Sequence, residues 1–184
     1  MFFENWNIYQ VIKALRPRQW LKNFAVFASI IFSGQLFNPL LLRLSLHAFF
    51  VFCAVASANY LFNDVMDKPK DQKHPFKRLR PIARGTVSVP FALTLSVVLL
   101  IIGLFLSLQI NETFFVLTLV FAALSFGYTL LLKHLAVVDI LTIAVGYFLR
   151  VYAGEAVTGY HLSIWLTLAV FSLSLFLGIG KRRS

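Results

Sequence analysis

The residues best placed to do chemistry form an acidic cluster at the end of a long apolar run. Asp64, Asp67 and Asp71 are three of the four aspartates in the chain, and Asn63 precedes them directly. Their spacing is that of one helix face, which Pro69 would kink or end. Carboxylates beside a membrane segment need water, a cation or a polar ligand. Clustered oxygen ligands suit Mg²⁺, which adds water and phosphate oxygens. We therefore predict a magnesium site at these three aspartates.

A basic stretch follows the aspartates and carries Lys77, Arg78 and Arg80. Arginine binds phosphate through a bidentate fork, and lysine supplies a point charge. An acidic cluster followed by a basic one is the arrangement expected for a metal–pyrophosphate complex. The alternative is a solvated loop that binds anionic lipid headgroups. We expect residues 63–88 to form the active-site loop, because this is the one sizeable polar insertion in the chain.

Three further pairs of polar residues lie at or near membrane depth: Arg16 with Lys22, Tyr128 with Lys133, and Asp139 with Arg150. The first two pairs lie at the ends of apolar runs, where an interfacial anchor is the alternative to a binding role. Asp139 and Arg150 are about three helical turns apart on one face. Charges inside a membrane segment are expected to face the bundle interior or a cavity, so this pair is either a site or a structural ion pair.

The composition indicates a membrane protein. Of 184 residues, 59% are hydrophobic and 13% are charged, whereas a soluble domain has about 25% charged residues. The runs long enough to approach the ~20 residues of a membrane helix are Trp20–Phe37, Pro39–Phe62, Val87–Ile110, Thr113–Leu132, Leu135–Val157 and Leu162–Ile179. The sequence therefore predicts an all-α, polytopic transmembrane bundle of about six helices, forming one membrane domain over residues 1–184.

The net charge of +10 follows the membrane topology and does not indicate a nucleic-acid partner. Basic residues cluster before the first apolar run and after the second, fourth and sixth runs, in the alternation that the positive-inside rule describes. This pattern predicts an inner-membrane protein with both termini and the aspartate loop in the cytoplasm.

The motif Asn63-Asp64-x-x-Asp67-x-x-x-Asp71 resembles the first aspartate-rich motif of the UbiA superfamily of intramembrane prenyltransferases. Tyr128, Lys133 and Asp139 are similar to the tyrosine–lysine–aspartate stretch of that superfamily. Two further stretches resemble its decaprenyl-phosphate phosphoribosyltransferase branch: Arg16-Pro-x-Gln-Trp20-x-Lys22-Asn23 and His74-Pro-x-Lys77-Arg78-x-Arg80-Pro-Ile-Ala-x-Gly85.

The resemblance implies transfer of 5-phosphoribose from phosphoribosyl diphosphate to a polyprenyl phosphate, for cell-wall precursor synthesis. It implies Mg²⁺ at the three aspartates, with the basic loop holding donor phosphates. Lys22, Arg16 or Arg150 would hold the lipid phosphate, and Lys133 the 5-phosphate of the donor. A prenyltransferase that moves an isoprenyl group to an aromatic acceptor is the alternative. An inactive fragment or a magnesium-binding membrane subunit is the second alternative.

The chain departs from the superfamily in its number of apolar runs. The superfamily fold has nine membrane helices and a second aspartate-rich motif, whereas this chain has six runs and no aspartate beyond Asp139. It resembles the amino-terminal two-thirds of such an enzyme, so we expect the complete site to need a carboxyl-terminal half or a second copy of the chain.

Overall fold

The computed structural model describes residues 8–132 and 136–183, and all regular structure within these residues is helical. The all-α prediction is confirmed. The α-helices are α1 Ile8–Leu15, α2 Ala28–Phe32, α3 Pro39–Met66, α4 Lys68–Lys73, α5 Pro81–Arg84, α6 Val89–Leu108, α7 Glu112–Gly127, α8 Ala136–Thr158 and α9 Ile164–Arg183. Two 3₁₀ segments, Pro17–Phe27 and Lys77–Leu79, and one π-helical turn, Tyr128–Leu132, complete the described elements.

Four of the described helices are long and apolar enough to cross a membrane, which makes the chain an integral membrane protein. Their membrane-length stretches are Pro39–Met66, Val89–Leu108, Glu112–Leu130 and Ile140–Thr158. Helix α9 is a further helix of 20 residues, and its described apolar part runs from Ile164 to Phe176. These helices correspond to the second through sixth predicted runs.

The first predicted run, Trp20–Phe37, is not a single α-helix. It consists of the 11-residue 3₁₀ segment Pro17–Phe27 and the five-residue helix α2, although 3₁₀ stretches of this length are uncommon. The run then ends early because Gly34 adopts a left-handed conformation with φ of 72°, a common way to terminate a helix. Apolar composition predicted an apolar segment here but not its backbone conformation.

Helix α3 lies at the centre of the bundle and packs against α6, α7, α8 and the first 3₁₀ segment. Pro39 occupies its first turn, and the Asn38 side chain accepts hydrogen bonds from the amides of Leu40 and Leu41. Both features stabilise a helix start. Phe52 of α3 packs against Phe114 and Phe121 of α7 at ring-centroid distances of 5.8 and 5.1 Å. This aromatic core fixes α7 against α3 below the polar end of the bundle.

Helix α8 packs very closely on the first 3₁₀ segment. A Cβ atom added at Gly154 would lie 2.0 Å from the carbonyl oxygen of Val26, so only glycine permits this approach. Arg150, one turn earlier on α8, is thereby brought against Asn23 of the 3₁₀ segment. The close approach therefore helps to position a charged residue inside the bundle.

The predicted loop of residues 63–88 is largely helical. Helix α3 continues to Met66, beyond the predicted end at Phe62, so Asn63 and Asp64 lie in its last turn. The chain turns at Asp67, and Pro69 lies in the first turn of α4, where proline is tolerated. The Gln72 side chain donates to the carbonyl of Ala83 at 3.2 Å and ties α4 to α5. This small helical cap holds the acidic and basic side chains.

Candidate active site

A cavity of about 260 Å³ opens at the polar end of the bundle, between the first 3₁₀ segment, α3, α7 and α8. Five residues that the sequence analysis singled out as site residues line it: Arg16, Lys22, Asn63, Tyr128 and Arg150. Its remaining polar lining comes from Asn59, Tyr60, Ser125, Thr129, Thr142 and Tyr147. These four elements, several of them distant in sequence, thus bring cationic and hydroxyl groups to one cavity.

Arg150 lies on the inner wall of this cavity and is 6% exposed. Its Nε donates to Oδ1 of Asn23 at 2.7 Å, and its Nη1 donates to the carbonyl of Gly146 at 2.7 Å. The guanidinium lies 4.5 Å from the ring centroid of Phe121, a favourable cation–π distance. The predicted interior position of Arg150 is confirmed. The side chain of its predicted partner, Asp139, lies outside the described residues.

Arg16 connects the first 3₁₀ segment to the acidic end of α3. Its Nη2 donates to Oδ1 of Asp64 at 2.5 Å, and its guanidinium lies 5.1 Å from the ring centroid of Tyr60. Its backbone is left-handed, with φ of 55° and ψ of 59°, a conformation that is uncommon outside glycine and that tends to cluster at functional sites. The following Pro17 disfavours the right-handed helical conformation at Arg16.

Asp64 and Asp71 share one guanidinium nitrogen. Nη1 of Arg80 lies 3.2 Å from Oδ1 of Asp64 and 2.6 Å from Oδ2 of Asp71. The two aspartate side chains are 3% and 5% exposed, whereas the Arg80 side chain is 27% exposed. The last turn of α3 and helix α4 therefore bring two carboxylates, seven positions apart in the sequence, to a single cation position.

The three predicted metal-binding aspartates do not form one group. Among the described residues, no set of three or more His, Cys, Asp and Glu side chains is arranged to hold a metal ion. Asp67 lies at the junction of α3 and α4 in a right-handed conformation, and its carbonyl still accepts a hydrogen bond from the Asp71 amide at 2.9 Å. The carboxylate pair that the structure supplies is Asp64 with Asp71, and a metal role for Asp67 stays a prediction.

A second cavity of about 210 Å³ lies beside this pair. It is lined by Lys13, Arg16, Asp64, Phe76, Leu79, Arg80 and Pro81. Arg16 lines both cavities, so the acidic pair and the cationic inner cavity meet at this residue. Lys13 was not singled out as a site residue, because in the sequence it is one of several cations that precede the first apolar run.

The remaining predicted site residues lie apart from the two cavities or outside the described chain. Lys77 and Arg78 are exposed on the second 3₁₀ segment, and neither belongs to the lining of the two cavities described above. Lys133 lies outside the described residues. Sequence reasoning missed Tyr60 and Tyr147 as cavity residues, since an aromatic in an apolar run carries no signal that separates a site from packing.

Comparisons with known proteins concern the family and the fold of the chain. The model of the UbiA prenyltransferase family matches residues 23–181. A decaprenyl-phosphate phosphoribosyltransferase of Corynebacterium glutamicum is 40% identical over 176 residues, which cover 94% of this chain and 53% of that protein. The enzyme of the same name from Mycobacterium tuberculosis is 40% identical over 177 residues, which cover 94% of this chain and 58% of that protein. The chain thus spans about half the length of these relatives.

Solved structures share the fold. A UbiA homologue from Archaeoglobus fulgidus, bound to GPP and Mg²⁺, aligns with a TM-score of 0.77 at 23% identity, covering 90% of this chain and 60% of that one. The structure of a digeranylgeranylglyceryl phosphate synthase aligns with a TM-score of 0.76 at 21% identity, covering 95% and 61%. At these identities the likeness concerns the fold alone.

Proposed function

The chain belongs to the UbiA prenyltransferase family, and from this premise we propose that it serves transfer of 5-phosphoribose from phosphoribosyl diphosphate to a polyprenyl phosphate. The observation that carries the proposal is the position of Arg16, which pairs with Asp64 and lines both cavities. An acidic pair suited to a metal–diphosphate is thereby joined to a cationic cavity suited to a phosphate monoester. The 40% identical relatives of Corynebacterium and Mycobacterium carry the name of this activity.

The residues present fit a magnesium ion. Mg²⁺ is usually held by one or two carboxylates together with substrate phosphates and water, and Asp64 and Asp71 already share one cationic nitrogen. Asp67, at the turn between α3 and α4, is the third proposed ligand. Bound there, the ion would neutralise the negative charge that develops on the departing pyrophosphate.

We assign the donor to the cap formed by residues 63–88. Arg80 stands beside the carboxylate pair, within reach of the diphosphate that a bound metal would hold, and its fork suits phosphate oxygens. Lys77 and Arg78 are exposed in the segment just before it and would add charge as the donor approaches. Lys133 is the proposed partner of the donor's 5-phosphate.

We assign the lipid phosphate to the inner cavity, with Lys22 and Arg150 as its cations. The Nε of Arg150 donates to Asn23, and its Nη1 donates to the carbonyl of Gly146. The remaining N–H groups of the guanidinium are then available to a phosphate in the cavity. A phosphate monoester is already anionic at neutral pH, so the reaction needs no strong general base. Tyr60 and Tyr128 would supply hydroxyl groups, while the polyprenyl tail lies along the apolar helices.

The second candidate function is transfer of an isoprenyl group to an aromatic acceptor. It is favoured by the apolar part of the inner cavity, which includes Phe121, Leu124 and Ile143, and by the description of the family as prenyltransferases. The same carboxylates would serve an isoprenyl diphosphate, so they do not distinguish the two donors.

The experiment that decides between them incubates membranes with phosphoribosyl diphosphate labelled in the ribose, decaprenyl phosphate and Mg²⁺. It is run with the 184-residue chain and with a chimera that adds the carboxyl-terminal half of the Corynebacterium relative. We expect a labelled, organic-soluble phosphoribosyl lipid, and none from the Asp64→Asn variant. Label transfer from an isoprenyl diphosphate to an aromatic acid, with none from the ribose donor, would instead establish the second candidate.

We further propose that the Asp64–Asp71 cap lies on the cytoplasmic side, with the amino terminus. The observation behind this is the run of exposed cations on the cap, Lys70, Lys73, Lys77, Arg78 and Arg84, since positive residues stay on that side. Cysteine labelling of intact cells at Lys70→Cys tests it, with modification expected only after the membrane is permeabilised.

A further inference from the structure

Arg80 occupies the position between two buried carboxylates that a bridging cation would take. One nitrogen, Nη1, lies 2.6 Å from Asp71 and 3.2 Å from Asp64. Because a single atom contacts both oxygens, the two carboxylates converge on one point. A hard divalent ion and a guanidinium would therefore compete for the same oxygens, and both cannot occupy this point at once.

The surroundings let the Arg80 side chain leave without unfolding the cap. Its backbone is held, because Pro81 follows it at the buried start of α5 and the Thr86 hydroxyl donates to the Pro81 carbonyl at 3.1 Å. Its side chain, by contrast, is 27% exposed and borders the 210 Å³ cavity. The guanidinium can swing into this space, where Lys13 and Arg16 already make the lining positive.

An anionic ligand is what would make the move favourable. A guanidinium that leaves two carboxylates loses two charge-assisted hydrogen bonds, and a cavity lined by cations cannot replace them. Phosphate oxygens in that cavity would accept the same donors with the same geometry. The carboxylate pair would then be open to a divalent ion that shares those phosphate oxygens.

We propose that the Arg80 guanidinium occupies the metal position in the donor-free chain. A divalent cation replaces it there only when a diphosphate binds and accepts hydrogen bonds from the guanidinium. This rests on the proposed function, in that the diphosphate is taken to be the donor's. Two consequences follow. Free metal binds weakly to the donor-free chain because it must displace Arg80, and metal and diphosphate strengthen each other's binding, as linkage requires.

The test measures Mn²⁺ binding to the purified 184-residue chain by electron paramagnetic resonance, with no phosphate present. Arg80→Gln should bind Mn²⁺ about tenfold more tightly than the wild type, or better, because a hydrogen bond to a charged group no longer has to be broken. Arg84→Gln is the matched control, because Arg84 is an exposed arginine of the same cap. It removes the same charge and should leave the affinity within about twofold.

Two further variants separate exchange from a general loss of charge. Arg16→Gln removes a cation that contacts Asp64, whereas Arg80 contacts both aspartates, so Arg16→Gln should gain less affinity. Arg80→Lys keeps the charge as a single point and should bind Mn²⁺ with an affinity between those of the wild type and Arg80→Gln. If Arg80→Gln folds poorly, the Mn²⁺ affinity of Arg80→Lys still tests the proposal against that of the wild type.

Mn²⁺ should also raise the melting temperature of Arg80→Gln by several degrees and leave that of the wild type almost unchanged, since the ion replaces a missing cation only in the variant. Equal Mn²⁺ affinity in wild type, Arg80→Gln and Arg80→Lys, including no measurable binding in any of them, would overturn the proposal. So would an equal gain in Arg84→Gln. None of these measurements depends on which group the chain transfers, so failure of the phosphoribosyl assay leaves the test intact.

Discussion

Asn23 and Arg150 are 127 positions apart in the sequence, yet Oδ1 of one accepts a hydrogen bond from Nε of the other at 2.7 Å inside the bundle. Asn23 is 0% exposed, and its Nδ2 donates to Sγ of Cys53 at 3.2 Å. One amide therefore links the first 3₁₀ segment, α3 and α8. Because Arg150 is charged and buried, this amide also satisfies a group that would be costly to leave without a partner.

The first prediction concerns this link. Asn23→Ala should lower the free energy of unfolding in detergent by about 1–3 kcal/mol, because a buried hydrogen bond to a charged group is lost. Thermal unfolding followed by tryptophan fluorescence measures it. The control is Asn38→Ala, which removes an exposed helix cap and should cost about 1 kcal/mol. A smaller loss for Asn23→Ala than for Asn38→Ala would show that Arg150 does not depend on this amide.

The second prediction ranks the three aspartates. Asp64→Asn and Asp71→Asn should each reduce transfer by a factor of about 10² or more, since these carboxylates converge on the proposed metal position and the metal stabilises the leaving group. Asp67→Asn should cost less, because Asp64 and Asp71 are the two carboxylates that converge on Arg80, and the described residues contain no group of three suited to a metal ion. Initial rates at limiting and saturating Mg²⁺ check the order. If the Asp67 variant were as inactive as the other two, all three aspartates would be equally important metal ligands.

The sequence predicted the long helices well because burial in a membrane needs long apolar runs, and such runs are visible in composition. It failed at the first segment for the same reason, since composition does not distinguish a 3₁₀ segment ended by Gly34 from a continuous helix. It also placed the end of α3 at Phe62, although the helix carries Asn63 and Asp64 in its last turn. Polar residues there do not end a helix when they face a cavity or an ion pair.

Several residues of the candidate site stood out in the sequence, but their pairings did not. Arg16, Asp64, Arg80 and Arg150 stood out because charge is costly near a membrane core. Their partners did not, since Arg16 and Asp64 are 48 positions apart, and Arg80 and Asp64 are 16 positions apart on different elements. Such pairings depend on how helices pack, which a single sequence does not encode in any local pattern.

The third prediction separates the acceptor site from the donor site. Lys22→Ala should raise KM for the polyprenyl phosphate about tenfold or more, with little change for the donor, because Lys22 lines the inner cavity and would donate a charge-assisted hydrogen bond to the phosphate. Lys77→Ala should act on the donor alone and only weakly, since Lys77 is exposed and is not part of the lining of either cavity described. Rates measured with one substrate varied at a time test both. If Lys22→Ala raised only the donor's KM, the assignment of the two substrates would be reversed.

The last prediction concerns the close approach of α8 to the first 3₁₀ segment. In Gly154→Ala the new methyl group would meet the Val26 carbonyl at 2.0 Å. The contact is with backbone and no side chain can yield, so α8 must shift outward and carry Arg150 away from Asn23. We expect a loss of about 2–4 kcal/mol, typical of overpacking combined with a broken buried hydrogen bond. Gly127→Ala is the matched control, because a Cβ at this helical glycine would meet no neighbouring element within 4 Å among the described residues, and it should be neutral or slightly stabilising. Thermal unfolding and the KM for the polyprenyl phosphate are measured for both variants. Normal stability and normal KM in Gly154→Ala would mean that α8 and the 3₁₀ segment do not need this contact to hold Arg150 in the cavity.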